Sequence, residues 1–291
     1  MFEPLQYQFF VRGLIAATLV GGLLGLLGVY VVLRRMAYIG HGLSHAVFGG
    51  AAVSWVLGIN FFVGATLWGF LSAILITLTA RKRAIGADAA IGIITTASFA
   101  LGIALISRVG GFMRSFEAAL FGNILGVGTD DIVAIIVVTV GAGAFVFVAY
   151  KHLLFATFDP EVADFYGVRT GWIDAAFSLV LAATIVVSMQ VLGVTLIAAS
   201  IVIPPIVARL LTNSFRQMMI ISIVVGSTTG FVGIYLSFYV DVSSGASIVL
   251  LASVTFISAL LYAHLKSRLK ARRGATDPGV VIASPETPGS L

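Results

Sequence analysis

The chain has 291 residues, of which 59% are hydrophobic and only 10% charged, with a mean hydropathy of +1.10. A soluble domain carries roughly 25% charged residues, so these proportions exclude a water-soluble globular protein and point to one that crosses a bilayer repeatedly. No cysteine is present, which excludes disulfides and thiolate metal sites, and the net charge of +5 is gathered at the ends of apolar runs, which argues against a nucleic-acid partner.

A helical span needs about 20 apolar residues. Runs of that kind lie at 10–33, 37–58, 61–80, 87–107, 131–150, 172–192, 194–211, 217–240 and 245–265. The expected fold class is an all-α polytopic membrane protein with about nine transmembrane helices. The hinge at Gly58–Phe61 and the join at Gly193 leave eight or ten open. The first run lacks a basic leader and a small-residue cleavage site, and reads as a retained helix rather than a signal peptide. Arg34–Arg35, Arg81–Lys82–Arg83, Lys151 with Arg169, Arg209 with Arg216, and the five basic residues from Lys266 to Arg273 fall on one side of the membrane. They make up 14 of the 17 Lys and Arg, an asymmetry that places the C-terminus in the cytoplasm and, for nine spans, the N-terminus outside.

Two connections do not span. Residues 108–130 are too polar to cross and are expected to carry an interfacial helix at Phe116–Leu125 on the outer side. Residues 155–170, "FATFDPEVADFYGVRT", form an amphipathic cytoplasmic stretch. Its Asp159-Pro160-Glu161 has the residues of a helix start, and Gly167 those of a stop. The chain divides into a transmembrane domain at 1–265 and a tail at 266–291, basic at first and then rich in Pro, Gly, Ser and Thr, a composition expected to be disordered.

The residues that stand out are two histidines, His41 and His45, in "RRMAYIGHGLSHAVFGG". Residues four apart share a helix face and lie about 6 Å from each other, so both rings can reach one ion. Measured from Arg35 they lie roughly 9 and 15 Å into the membrane at 1.5 Å per residue. Ionisable groups at such depth face a bundle interior or a pathway. The competing reading is that each imidazole hydrogen-bonds a neighbour, with Tyr38 and Ser44 close by. The spacing also resembles the HExxH zinc-protease motif, but Gly42 stands where the catalytic glutamate would be. His152 and His264 fall near helix ends and receive no site role. Pro204-Pro205 removes two backbone donors inside a span and predicts a kink or interruption. Asp241, Ser243, Ser244 and Gly245 precede the last span as capping residues. Glu117, Asp130 and Asp131 face outside, where their field would attract cations, and Asp88 reads as a cap or an ion-pair partner.

Six motifs occur in a fixed order: "RRMAYIGHGLSHAVFGGAA", "GADAAIGI", "LFGNILGVGTDD", "DPEVADFYGV", "LGVTLIAASIVIPPIVARLLT" and "YVDVSSGASIVLL". Together they resemble the metal-ion permeases of ABC importers, the zinc/manganese/iron uptake family, over about residues 10–265. The resemblance implies a fold similar to the cobalamin-importer type, a pair of permease chains (identical copies are expected) around a central pathway, two separate ATPase subunits, an extracytoplasmic metal-binding protein, and a bacterial or archaeal cytoplasmic membrane. It implies a transport subunit rather than an enzyme, and the chain has no GxxxxGK[ST] loop with which to hold ATP. By the same resemblance, Asp159, Glu161, Ala163 and Gly167 belong to the helix that couples to the ATPase, Pro204 and Pro205 to a gating kink, and Asp241, Ser244 and Gly245 to the outer mouth. The family's pathway motif is commonly Asp-x-x-x-His; His45 matches its histidine, and His41 stands where the aspartate usually is. An all-nitrogen pair suits zinc better than manganese or iron, so zinc is the expected cargo. Two alternatives stay open: an ion-coupled secondary transporter, and an ABC permease for a metal chelate such as a siderophore.

Overall fold

The computed structural model describes residues 3–80, 86–109 and 120–274. Among them, nine helices of 18 residues or more occupy the nine apolar runs: α1 (Gln8–Leu33), α2 (Ala37–Leu57), α3 (Phe61–Ala80), α4 (Ala87–Val109), α5 (Thr129–Val148), α8 (Thr170–Leu192), α9 (Val194–Leu211), α10 (Phe215–Val240) and α11 (Ser244–Gly274). Two short helices, α6 (Tyr150–Phe158) and α7 (Pro160–Phe165), connect α5 to α8. Eight of the nine long helices are apolar enough to cross a membrane. The ninth is α2, whose glycines, tyrosine, serines and two histidines dilute its apolar residues.

Most residues of α1 are buried. It packs along α10 through small residues. Gly21 and Gly226 bring the two backbones together where any Cβ would strike a carbonyl, and Ser222 Oγ donates to the Gly25 carbonyl at 2.7 Å. Apolar side chains gain nothing from leaving lipid for another helix, so close backbone approach of this kind is what holds such bundles together. The half-polar α2 is surrounded instead by α3, α4, α8 and α9.

Of the kink or interruption expected at Pro204-Pro205, the interruption does not occur: α9 is helical from Val194 to Leu211 with both prolines inside it. Pro205 lacks the N–H that would bond the Ile201 carbonyl, and the backbone of α1 at Gly28 fills that position, pressed directly against the Ile201 oxygen. Packing by a neighbouring helix therefore covers the group that the prolines leave open.

The interfacial helix expected at Phe116–Leu125 falls partly outside the described residues. Its described end stops early, because Gly122 adopts φ +79° and a 3-10 turn follows at Ile124–Gly126, with the Asn123 side chain accepting from Gly126 N–H. Arg81–Arg83, Arg114 and Glu117 also lie outside the described residues. At the other end of the chain α11 continues through Lys266 and Arg268 to Gly274, so no structural break falls at residue 265, and the tail beyond 274 lies outside the described residues.

Candidate functional site

His41 and His45 lie on the second and third turns of α2, both half-buried. Their rings meet edge to face with centroids 4.4 Å apart, and His45 stacks in the same way on Phe99 of α4 at 4.7 Å. Two glycines make this possible: a Cβ at Gly42 would collide with Ile91 and Thr95, and one at Gly49 with the Ser98 carbonyl. α4 therefore closes on α2 directly above and below His45.

The hydrogen bonds bear on the reading in which each ring is satisfied by a neighbour. Ser44 Oγ donates to the His41 backbone carbonyl at 2.8 Å rather than to a ring nitrogen. Tyr38, 50% exposed, offers His41 its ring, with centroids 5.5 Å apart. His45 Nδ1 is buried and has no hydrogen-bond partner among the described residues. A buried nitrogen left unmatched costs roughly 1–3 kcal/mol. Among the described residues neither ring is held to a neighbouring helix by a hydrogen bond, and His45 Nδ1 is left without a partner. No cluster of three or more His, Cys, Asp or Glu fit to hold a metal occurs among the described residues. The pair thus supplies two donors and no more from this chain.

The end of the bundle at which α1 meets α2 also carries α6 and α7. Asp159 caps α7, its Oδ1 accepting from Val162 N–H at 3.0 Å, with Pro160 in the first position. The helix closes at Gly167, φ +80°, where Val168 N–H donates to the Ala163 carbonyl at 3.0 Å. Asp164 Oδ1 then accepts from Thr170 Oγ1 at 2.6 Å, fixing α7 to the start of α8. Start and stop match the sequence expectation. The outward face does not: Ala163, expected at the contact with a partner, is fully buried and seats the helix on its own bundle. What α7 presents is Glu161 and an apolar group that sequence reasoning passed over, Val162, Phe165 and Tyr166, with Phe165 87% exposed. The signal was there, since two aromatic residues in a water-facing loop need an explanation.

Arg34, seen in the sequence only as a marker of the membrane edge, has a side chain just 8% exposed that is paired with Asp174 at 2.8 Å. Burial draws its pKa below the usual arginine range, and Asp174 offsets part of that effect.

At the far end, Asp241 takes a left-handed conformation, φ +57°, as it closes α10 and stays exposed. Ser244 opens α11. Gly245, expected at an outer mouth, is buried where α11 crosses the α8–α9 join and a side chain would meet the Leu192 and Phe121 carbonyls. A cavity of about 860 Å³ opens at this end between α3, α5 and α8, with Asn60, Asp130, Asp131 and Gln190 at its polar part and Phe70 and Val138 in its apolar part. Asp131 is already engaged there, accepting from Gly128 N–H at 2.8 Å and from Gln190 Nε2 at 3.3 Å. Neither histidine lines this cavity.

Known proteins similar to this chain identify its family. The chain is 34% identical over 269 residues to the manganese transport system membrane protein MntC of Listeria monocytogenes, covering 92% of this chain and 96% of the relative. It is 32% identical over 262 residues to a Haemophilus influenzae protein described as "Probable iron transport system membrane protein", covering 90% and 93%. Among solved structures it is similar to PsaBC from Streptococcus pneumoniae in complex with Fab, with a TM-score of 0.79 and 34% identity over 89% of this chain and 93% of that one. Residues 6–263 match the ABC 3 transport family. With a match over nearly the whole bundle, and relatives at this identity covered almost end to end, the chain belongs to the ABC 3 transport family.

Proposed function

We propose that the chain is the membrane subunit of an ATP-driven importer for a divalent transition metal, and that His41 and His45 hold the ion in transit. The observation that carries the reading is the pair of adjoining rings with an unmatched buried nitrogen. Two such pairs, one from each of two copies of the chain, offer four nitrogens. ATP hydrolysis belongs to separate ATPase subunits, which dock on Glu161, Val162, Phe165 and Tyr166 of α7 at the cytoplasmic end. A binding protein delivers the ion to the opposite end, near Asp241. The basic end then faces the cytoplasm of a bacterial or archaeal cell, as its Lys and Arg residues require.

Zinc was the cargo expected from two imidazoles. Relatives described as manganese and iron transporters do not support that preference, and manganese takes its place. The chemistry is compatible. For a given set of donors Mn²⁺ binds more weakly than Fe²⁺, Cu²⁺ or Zn²⁺, and a transit site works only when it releases what it captures. An all-imidazole pair that would retain zinc lets manganese go.

The test is reconstitution with the cognate ATPase and binding protein in proteoliposomes, followed by ATP-dependent uptake of ⁵⁴Mn. His45→Ala should lower uptake by more than about tenfold, the least that loss of a metal's supporting groups costs. His41→Asp, which restores the family pattern, should retain it. Uptake by His45→Ala at the wild-type rate removes the histidines from the pathway, and uptake driven by a proton gradient without ATP favours the secondary transporter.

A further inference from the structure

The corner between α1 and α2 is held in an unusual way. Arg35 adopts φ +56°, a left-handed conformation unfavourable for any residue with a Cβ and usually given to glycine. Two hydrogen bonds close the turn, from Arg35 N–H to the Val32 carbonyl at 3.1 Å and from Met36 N–H to the Val31 carbonyl at 2.9 Å. Along their lengths α1 and α2 share little contact, so this corner, rather than a packed seam, sets the start of α2 relative to α1.

One side chain fastens the corner to its surroundings. Arg34 Nε donates to Thr157 Oγ1 of α6 at 3.0 Å, and Nη1 donates to Asp174 Oδ1 of α8 at 2.8 Å. The guanidinium lies over the Phe177 ring, 4.9 Å from its centroid. Thr157 stands two residues before Asp159, the cap of α7, and Arg34 stands seven residues before His41. The side chain therefore links the surface presented to the ATPase with the helix that bears the ion site.

Two further features separate this pair from a purely stabilising one. Arg34 Nη2 is buried without a hydrogen-bond partner among the described residues, a deficit that an arrangement built for stability alone would fill. A cavity of about 280 Å³ adjoins the pair, bounded by Arg34, Thr157, Pro160 and Asp174, and gives these groups room to change partners.

We propose that Arg34 is the positioning residue that transmits movement of α7 to α2, so that ATP hydrolysis is converted into displacement of His41 and His45. This rests on the transport reading above. In that cycle a shift of α7 draws on Thr157, Thr157 draws on the guanidinium, and the α1–α2 corner turns with it while Asp174 keeps the charge matched.

The experiment measures metal uptake and ATP hydrolysis together in proteoliposomes holding the permease, its ATPase and its binding protein, using ⁵⁴Mn as the probe. The variants are Arg34→Gln, Arg34→Lys, Thr157→Val and Asp174→Asn. Gel filtration with the ATPase checks assembly. Arg34→Gln is expected to assemble and hydrolyse ATP while ions moved per ATP fall roughly tenfold, the loss appropriate to a charge-assisted hydrogen bond. Thr157→Val breaks the link from Arg34 to α6, together with the hydroxyl's own bond to the Leu153 carbonyl, and leaves the ion pair, so it should lower the same ratio without affecting assembly. Arg34→Lys keeps the charge but has no planar fork to span Thr157 and Asp174 together, and should rescue only partly. A ratio that stays at the wild-type value in both Arg34→Gln and Thr157→Val overturns the proposal, as does parallel loss of uptake, hydrolysis and assembly in all four variants. If the unmodified chain moves no metal with ATP, the transport reading has failed instead, and the two failures are told apart.

Discussion

Asp159 allows the role of α7 to be tested by separating its fold from its charge. The helix has six residues, far below the length at which a helix sustains itself in water. Four things hold it: the Asp159 cap, the closing turn at Gly167, the burial of Ala163 and the bond from Thr170 to Asp164. Asp159→Ala removes the bond to Val162 N–H at a cost of about 1 kcal/mol. That corresponds to roughly a fivefold shift of the local folding equilibrium. Because so little else supports α7, most of the factor should appear as weaker docking, about three- to fivefold in dissociation constant. Asp159→Asn keeps an acceptor oxygen in the same place and loses the charge, so docking should stay within about twofold of wild type, since Asn and Asp cap equally well. The assay is titration of detergent-solubilised permease with labelled cognate ATPase, followed by thermophoresis. Wild-type affinity in Asp159→Ala would refute the claim that the cap sets the helix. Equal weakening in both variants would show that the carboxylate itself meets the ATPase.

Two other outcomes follow from backbone geometry. Gly49→Leu drives a side chain into the Ser98 carbonyl at the α2–α4 seam and should lower the thermal unfolding midpoint in detergent by about 5 °C, from an overpacking cost of roughly 2 kcal/mol; Gly92→Ala, on the same pair of helices but facing open space, should leave it unchanged. Gly167→Ala forces a Cβ into φ +80° with no steric neighbour, so its cost of roughly 1 kcal/mol is purely conformational and Gly167→Asn should cost less, which limited proteolysis between α7 and α8 would detect as faster cutting in the order Ala, Asn, Gly.

The long helices were legible in the sequence because length and hydropathy alone specify a span, and the ends of α7 were legible because a cap and a glycine stop are local signals. What escaped was set by other parts of the chain. Arg34 and Asp174 are 140 residues apart, and no local pattern couples them. The double proline predicted a kink or interruption from its own chemistry, and nothing local to it showed that Gly28 on another helix would pack against the carbonyl it leaves open. Ala163 fell on the wrong side of the expected contact because a six-residue helix is too short for its periodicity to say which face is inward. Gly245 suggested an open mouth, although its lack of a side chain serves a crossing of three helices.

The histidine pair was legible as a pair, while its surroundings were not, and on the proposed transport role those surroundings bear on pairing with a second chain. In hydrocarbon an imidazole edge has no water to satisfy it. α3, α4, α8 and α9 shelter much of α2, yet both histidines remain partly exposed and Tyr38 beside them is 50% exposed. Acyl chains are a poor cover for that remaining surface, because Tyr38 and the two rings would all face them unpaired. A second copy meeting the first at this surface answers two needs at once: it removes the polar edge from lipid, and it doubles the nitrogens to the number an ion in transit can use. On that reasoning the residues that lower the hydropathy of α2 are also the ones that make a single chain incomplete. A lone permease in detergent should bind Mn²⁺ far more weakly than the assembled pair.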